Sequence, residues 1–493
     1  MDDNQVKKEL LKSTSIIGGT QIFIILLGIF RTKIIALLLG PAGLGFLGLL
    51  QSIVDIVRSS TSFGINYSAV KYVAEAKETN DRTKIGEIII IVRRWALWTG
   101  LLGLVVTVIF SIPLSLFSFG STSYAKSIAL VSISLLLSSV SGGQLALLQG
   151  MRLIKDMAKS TFFGVIVSTL IVIPIYYWLG VNGIALAIVL TAFGGLIISW
   201  IYARRVKIVE SRISLKQTFY SGLKMAKLGF FMVVSGLMGM FTLYLIRIII
   251  SDKIGLDGVG YFQAVWNITN IYMGIILNSM LADFFPRLSA VNTDNTAVTK
   301  LVNQQLELVL LIGTVIIIGM ITFTNLALTI LYSSKFDIAV PLLQWQLLGS
   351  LAGFITWALG VIFLAKGKGK FSVFTDSLWC AIYVSIVYYG WDSLGFEILG
   401  VAFVIAAFFK LVIVYILTKK ISDFMFTKIN ILYMVVATVL ILFIFILQYY
   451  FYSIYTLGIG FILFIIVTVY SIRVLNKILG IKQMIIKRII HRS

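Results

Sequence analysis

Cysteine, histidine and proline are all scarce in this sequence. The single cysteine, Cys380, excludes an intrachain disulfide framework. One cysteine and one histidine, His491, cannot supply an ordinary metal centre of nitrogen and sulfur ligands, so we expect no metal. No motif indicates a cofactor. Four of the five prolines fall at the ends of apolar runs, where a missing backbone N–H is tolerated. Long helices are therefore compatible with the sequence.

Charged residues are also few. They make up 12% of the 493 residues, against 59% hydrophobic residues, and the mean hydropathy is +1.01. No soluble domain is that apolar along its whole length, so the sequence predicts an all-α, polytopic integral membrane protein. We predict about fourteen transmembrane spans, each near twenty residues long. They are 14–39, 44–64, 90–112, 127–149, 160–179, 182–203, 228–250, 259–282, 305–331, 341–364, 371–390, 396–417, 430–450 and 453–475.

Basic residues outnumber acidic ones, 41 to 20, for a formal net charge of +21. In a soluble protein this excess would indicate a nucleic-acid partner. Here the basic residues are distributed according to the predicted membrane topology. With the N-terminus inside, 33 basic residues fall in inner segments and three in outer loops, Lys126, Lys253 and Lys335. The asymmetry predicts that both termini are cytoplasmic, and it needs no nucleic acid.

Aromatic residues cluster at predicted outer span ends. Tyr176, Tyr177 and Trp178 close the fifth span, where amphipathic rings anchor a helix at the membrane interface. We therefore predict an interfacial belt and assign these three residues no role in binding substrate.

A glycine-rich connector, Gly-Pro-Ala-Gly-Leu-Gly at 40–45, joins the first two spans. It is similar to a nucleotide loop only superficially, because it lies between two membrane spans and not between a strand and a helix. We interpret it as a tight turn between two helices.

The chain contains an internal repeat. Arg31 precedes Gly-Leu-Gly at 43–45, and Arg247 precedes Gly-Val-Gly at 258–260; these and two looser matches recur at nearly the same offset along the chain. Each repeat holds six spans, an even number, which predicts two parallel-repeat six-helix lobes. The last two spans have no counterpart. The predicted regions are an N-terminal lobe, a C-terminal lobe, and two extra helices with a basic cytoplasmic tail: 1–215, 216–425 and 426–493.

Five basic side chains lie within the spans: Arg31, Lys33, Arg58, Arg247 and Lys410. A charge at membrane depth costs ~2.5–3.5 kcal/mol on insertion scales, so it normally faces a partner or a wet cavity. Only one acid, Asp55, lies at comparable depth. The membrane core is thus biased toward positive charge and suits an anion such as pyrophosphate, which arginine binds in bidentate fashion.

Two plainer interpretations stay open. Asp55 and Arg58 lie one turn apart and can neutralise each other in a helix–helix staple. Long side chains such as Lys33 and Lys410 can snorkel to the interface. Asp55 is also a candidate for ion coupling, and the polar side chains placed to contact sugars are Gln51, Gln263 and Asn267.

Five segments between residues 10 and 420 carry a family resemblance. They are LGPAGLGFLGLLQSI with the upstream Arg31, YSAVKYVAEA at Tyr67, LALLQGMRLIK at Leu145, FPRLSAV at Phe285 and LLQWQLLG at Leu342. They resemble bacterial Wzx-type O-antigen flippases, members of the superfamily that also holds lipid II flippases and MATE-type multidrug antiporters. The resemblance implies two lobes forming a V. It implies transfer of an undecaprenyl-pyrophosphate-linked oligosaccharide, such as an O-antigen unit for lipopolysaccharide, between leaflets of the inner membrane by alternating access.

The same resemblance implies roles for particular parts of the chain. Arg31 and Arg58 look like the functional arginines of the first two helices of lipid II flippases, and the two extra helices look like the pair that lines a lipid-tail groove there. The implied partners are membrane lipids, a polysaccharide polymerase and a chain-length regulator.

Two other functions are weighed against a flippase. A cation-coupled drug antiporter of the same superfamily would want several buried acids, and this chain offers mainly Asp55. A polytopic polysaccharide polymerase or ligase would need a sizeable outer loop with catalytic groups, whereas every predicted outer loop is short. We therefore expect a transporter and not an enzyme.

Overall fold

The structure is a computed structural model that describes the backbone of residues 3–79, 81–206 and 213–479. These residues form fifteen α-helices and no β-strand, as expected where backbone polar groups must be satisfied without water. The helices are α1 (Asp3–Ser62), α2 (Ile65–Glu78), α3 (Arg82–Ile109), α4 (Ser111–Phe119), α5 (Ala125–Gly150), α6 (Ile154–Leu179), α7 (Ile184–Ala203), α8 (Leu215–Ala290), α9 (Asn295–Thr322), α10 (Thr324–Leu331), α11 (Val340–Ala365), α12 (Gly369–Leu394), α13 (Ile398–Ser422), α14 (Lys428–Tyr450) and α15 (Ile454–Leu479).

The helices have the length that fourteen crossings need. Nine segments of the described chain are apolar and long enough to span a membrane. Three of them hold 40, 50 and 54 residues, about twice the helix that a ~30 Å membrane core requires: Phe23–Ser62, Ile154–Ala203 and Gly369–Ser422. Each of the three is long enough for two crossings. Helix α8, which is 76 residues long, has the length for two more.

The breaks inside these long segments repeat along the chain. Gly40 and Gly255 have nearly the same backbone angles, φ 66° with ψ −172° and φ 76° with ψ −170°. Gly180 and Gly395, which are separated by the same interval in the sequence, follow α6 and α12 with φ of 53° and 55°. Glycine adopts such positive φ angles at little cost. The backbone therefore confirms the internal repeat. The turn predicted at 40–45 is confined to Gly40, because residues 41–45 are helical.

Two further glycines allow backbones to cross in direct contact. A Cβ atom on Gly45 would lie 2.0 Å from the carbonyl oxygen of Leu256, and one on Gly260 would lie 1.9 Å from the carbonyl oxygen of Pro41. Because Gly45 and Gly260 occupy equivalent positions in the two repeats, the contact is reciprocal. Each glycine faces the turn of the other repeat, and a side chain at either position would separate the two turns.

The chain packs as two compact units, Met1–Gly260 with Leu331–Ser333, and Tyr261–Ile330 with Ser334–Ser493. In the first unit, α2, α3, α5 and the start of α8 share an apolar core that includes Trp95. In the second unit, α11 is largely buried and packs against α9, α12, α13 and α14.

The predicted regions 1–215, 216–425 and 426–493 follow the repeat and not compactness. They stay predictions. The two compact units meet between Gly260 and Tyr261, inside α8, and are a different division of the chain. The basic tail at 480–493 lies outside the described residues.

Candidate functional site

The second half of α1 presents a polar cluster on one face. Arg58 Nη2 donates to Asp55 Oδ1 at 2.8 Å, and Gln51 Nε2 donates to the same oxygen at 3.2 Å. Positions 51, 55 and 58 line up because residues three and four apart share a helix face. The Arg58 side chain is 44% exposed and the Asp55 side chain 29%, so solvent screens this pair. The predicted neutralisation of Arg58 by Asp55 is present, but within one helix.

Helix α8 adds a buried guanidinium to this cluster. Arg247 is only 7% exposed, and its Nη1 donates to the Ser52 hydroxyl at 2.8 Å. Ser52 in turn donates to the carbonyl oxygen of Gly48 at 2.7 Å, which fixes the hydroxyl so that its lone pairs face the arginine. Asp55 acts on Arg247 electrostatically. One carboxylate, Asp55, therefore acts on two guanidinium groups.

Arg31 occupies a second position, on the first half of α1. Its Nη1 donates to the Ser168 hydroxyl of α6 at 2.7 Å, while its buried Nε has no hydrogen-bond partner. Within the described part of the chain, no carboxylate forms an ion pair with Arg31, and no hydrogen bond joins it to the Asp55 cluster. A buried donor left without an acceptor is costly, so this guanidinium has unused capacity for an anion.

The structure corrects the predicted aromatic belt at one residue, Tyr176. Tyr177 and Trp178 are 71% and 77% exposed, as expected for interfacial anchors, but Tyr176 is buried at 3%. It interacts electrostatically with Arg31 across the α1–α6 contact. Its position one turn before the end of α6 turns it inward, and neighbouring residues in the sequence gave no signal of this. Ser52 and Ser168 were missed for the same reason.

The structure also shows that Arg31 and Arg247 are not equivalent in the repeat. Arg31 lies nine residues before the break at Gly40, whereas Arg247 lies eight residues before the break at Gly255. One residue rotates a side chain by about 100° around a helix. The residue equivalent to Arg31 is Ile246, which is fully buried. The two arginines therefore lie against different neighbours, Ser168 and Ser52.

Both arginine positions lie at similar depth. At 1.5 Å per residue, Arg31 is about 14 Å before the turn at Gly40 and Ser52 is about 18 Å after it. Lys33 lies about 200° around α1 from Arg31, so it points to a different side, and it is half-buried.

The remaining predicted site residues belong to the second unit. Lys410 Nζ pairs with Asp376 Oδ1 at 2.7 Å and lies 5.9 Å from the centre of the Trp379 ring. Gln263 donates to Asn267 at 2.8 Å on α8. These contacts occupy Lys410 and the two amides inside their own unit, and their roles in binding stay predictions.

An apolar cavity of about 240 Å³ lies within the second unit, between α9 and the two last helices α14 and α15. Hydrocarbon side chains form most of its wall. Its lining residues are Leu310, Leu311, Thr314, Tyr433, Val436, Ala437, Leu440, Ile466, Val467, Tyr470 and Ser471. In the described residues, no group of three or more His, Cys, Asp or Glu side chains is placed to hold a metal ion.

Comparison with known proteins agrees with this architecture. Residues 10–292, more than half of the chain, match the family model described as polysaccharide biosynthesis protein. The chain is 23% identical over 351 residues to the lipid III flippases of Escherichia coli K12 and Shigella flexneri, covering 71% of this chain and 83% of each relative.

Solved structures resemble the fold. The lipid II flippase MurJ in its inward closed conformation superimposes with a TM-score of 0.69 at 15% identity, covering 94% of this chain and 99% of that one. An inward-facing MATE family multidrug transporter superimposes with a TM-score of 0.68 at 15% identity, covering 81% and 96%. This chain is thus a multi-pass, all-α membrane protein with the fold of these two structures, and it belongs to the polysaccharide biosynthesis protein family.

Proposed function

We propose that this protein is a flippase that moves an undecaprenyl-pyrophosphate-linked oligosaccharide from the cytoplasmic to the periplasmic leaflet of a bacterial inner membrane. The relatives named above are flippases and transporters, and the chain is a transporter and not an enzyme. The observation that carries the choice of an anionic lipid-linked substrate is Arg31, a half-buried guanidinium with no carboxylate partner among the described residues.

Arg31 is the primary contact for the pyrophosphate in this proposal. A guanidinium offers several N–H donors in a planar fork, and Ser168 engages only Nη1. Arg58 and Arg247 lie with Asp55 in a second cluster on α1 and α8, and both guanidinium groups carry positive charge. A pyrophosphate entering such a low-dielectric site gains far more from these charges than it would in water. Gln51, exposed beside Asp55, is placed to contact a sugar.

The cavity between α9, α14 and α15 is the proposed groove for the polyprenyl tail. Its wall is almost wholly hydrocarbon, which suits a branched isoprenoid chain. The deep part of α14 and α15, from Leu432 to Tyr470, carries no charged residue, so this pair adds nothing to the anion site. Truncation after Thr427 should leave a protein that inserts in the membrane but transports poorly.

The proposal includes an orientation and a place in polysaccharide assembly. Both termini would be cytoplasmic, since the basic residues concentrate on that side. The glycan delivered outside would be the substrate of a polysaccharide polymerase acting with a chain-length regulator, and alternating access would carry the head group across.

A complementation experiment tests this function. The gene is expressed in a strain that lacks its own oligosaccharide flippase, and surface polysaccharide is measured per amount of protein in the membrane. Restored display, with no added resistance to cationic drugs, is the expected result. Drug export without restored display would establish the antiporter alternative and overturn the flippase.

A further inference from the structure

Residues 213–227, which are Ile213, Ser214 and the first turns of α8, form a segment unlike the rest of that helix. Residues 213–227 contain three lysines and no acid: Lys216, Lys224 and Lys227. The segment follows α7 in the chain and packs on the first unit. The segment is neither wholly apolar nor wholly polar, and its faces differ in character.

One face of the segment is fixed against α3. Arg94 Nη1 donates to the carbonyl oxygen of Ile213 at 2.9 Å and to the Thr218 hydroxyl at 2.8 Å, while Trp95 Nε1 donates to the carbonyl oxygen of Thr218 at 2.9 Å. A Cβ atom on Gly222 would lie 1.7 Å from Trp95 Nε1, so the helix backbone touches the indole directly. These contacts bury one side of the helix and fix which sides remain exposed.

The adjacent face is apolar and exposed. Leu215, Phe219 and Leu223 are 66%, 49% and 37% exposed, and they follow one another at four-residue intervals along a stripe. The lysines lie next to this stripe: at 100° per residue, Lys216, Lys227 and Lys224 fall about 100°, 120° and 180° around the helix from Leu215. All three are exposed. The order around the helix is therefore protein, apolar stripe, lysines.

The level of the segment in the membrane follows from its contact with α3. Trp95 is 14 residues before the end of α3 at Ile109, which corresponds to about 21 Å of helix. In a core of ~30 Å, this places Trp95, and the Phe219 ring stacked on it with centroids 5.8 Å apart, about 9 Å inside the far boundary of the hydrocarbon. The segment thus has Phe219 at the depth of the acyl chains near that boundary and does not project into water.

We propose that residues 213–227 bind anionic phospholipids of the leaflet that they face, which is the cytoplasmic leaflet in the topology proposed above. Leu215, Phe219 and Leu223 would contact acyl chains, while the three lysines would contact lipid phosphates. This arrangement has the pattern of interfacial helices, in which basic residues flank an apolar stripe. The site is separate from the Arg31 site, so it concerns bulk lipid and not the transported lipid.

The first experiment measures where the stripe lies. In a Cys380→Ala background, a spin label is attached at Leu223→Cys or at Gln217→Cys in the full-length protein, which is reconstituted in phosphatidylcholine vesicles containing phosphatidylglycerol. Label 223 should be accessible to oxygen, which partitions into lipid, and label 217 to a water-soluble nickel chelate. A label at 223 that is as accessible to the chelate as label 217 would overturn the proposal.

The second experiment measures charge. Lys216→Gln/Lys224→Gln/Lys227→Gln is compared with a matched triple variant at exposed lysines of the second unit, Lys419→Gln/Lys420→Gln/Lys428→Gln, and retained phosphatidylglycerol is counted by native mass spectrometry. We expect roughly fivefold weaker retention for each lysine removed from 213–227. Equal losses in both triple variants would contradict a dedicated lipid site. The labelled proteins keep all three lysines, so the depth measurement stands even if the triple variant does not fold.

Discussion

The two units treat charge inside the membrane differently. In the first unit, Arg58 is paired with Asp55, which also acts on Arg247, whereas Arg31 is bonded to a serine hydroxyl and forms no ion pair among the described residues. In the second unit, Lys410 is paired with Asp376 at 2.7 Å. An ion pair has little net charge, whereas a positive charge that is not neutralised attracts an anion. This difference predicts that the proposed pyrophosphate site lies in the first unit, which is the part that the family model covers most fully.

The strongest test of this difference removes Arg31, which has no carboxylate partner among the described residues. Arg31→Ala should lower transport about 10- to 100-fold, the value of a charge-assisted hydrogen bond to an anion. The protein should still insert, because the substitution relieves the cost of a charge at membrane depth. Arg31→Lys keeps the charge but not the planar fork and should be intermediate. The measurement is surface polysaccharide per amount of membrane protein.

Arg152→Ala is the matched control, since Arg152 is exposed and pairs with Glu78 at 2.9 Å outside the spans. It should transport normally. Full polysaccharide display by Arg31→Ala at equal expression would return Arg31 to a structural role and remove the distinction between the two units.

Neutralising the acid of each unit should affect anion binding differently. Asp376→Asn leaves Lys410, about a quarter exposed, without its carboxylate and should destabilise the protein by about 1–2 kcal/mol, since a partly buried charge is left unpaired. Asp55→Asn should also destabilise the protein, because Asp55 acts on the buried Arg247 as well as on the well-solvated Arg58, but it should in addition strengthen anion binding. Thermal unfolding in detergent measures the stability losses, and binding of a pyrophosphate lipid measures the gain in affinity. Pyrophosphate-lipid binding that is no stronger in Asp55→Asn than in Asp376→Asn would contradict the contrast between the units.

Removing the hydroxyl that holds Arg31 should have a smaller effect. Ser168→Ala deletes the 2.7 Å hydrogen bond to Arg31 Nη1 and leaves the charge, so transport should fall roughly two- to tenfold. Thr169→Ala on the same helix removes a hydroxyl that bonds only within α6, to the carbonyl oxygen of Val165, and serves as the control. If both variants transport alike, Ser168 does not position the guanidinium.

The smallest effect concerns equivalent helix caps outside the membrane. Asp81 begins α3 and Asp294 begins α9, and each accepts hydrogen bonds from two backbone N–H groups. The N–H groups of Lys84 and Thr83 hold the pKa of the Asp81 carboxyl below its usual value. A carboxyl whose pKa is lowered in the folded state stabilises the fold at pH values above its unfolded-state pKa of about 3.9. This stabilisation is lost as the pH falls through the folded-state pKa. Protection against hydrogen exchange at the start of α3, taken relative to the intrinsic exchange rate at each pH, should therefore fall in acid, and Asp81→Asn should remove that pH dependence.

Much of the fold followed from residue patterns. Apolar runs of about twenty residues predicted the spans, and the long helices with their central breaks have room for all fourteen. The repeat was visible at Gly43 and Gly258, and the backbone angles at Gly40 and Gly255 confirm it. These features are local: hydropathy, glycine and helix period act along a single segment. The pairing of Asp55 with Arg58 was foreseen for the same reason, since both lie on one helix face.

Contacts between helices were decided by the tertiary structure alone. Nothing in the sequence shows that Arg31 meets Ser168, that Arg247 meets Ser52 or that Lys410 meets Asp376. The inward position of Tyr176 is of the same kind. Helix period tells which residues share a face, but not which neighbouring helix covers that face. The sequence determined that Arg31 is a charge inside the membrane; the packing of α1 on α6 determined that its Nη1 is bound to Ser168 and its Nε is left without an acceptor.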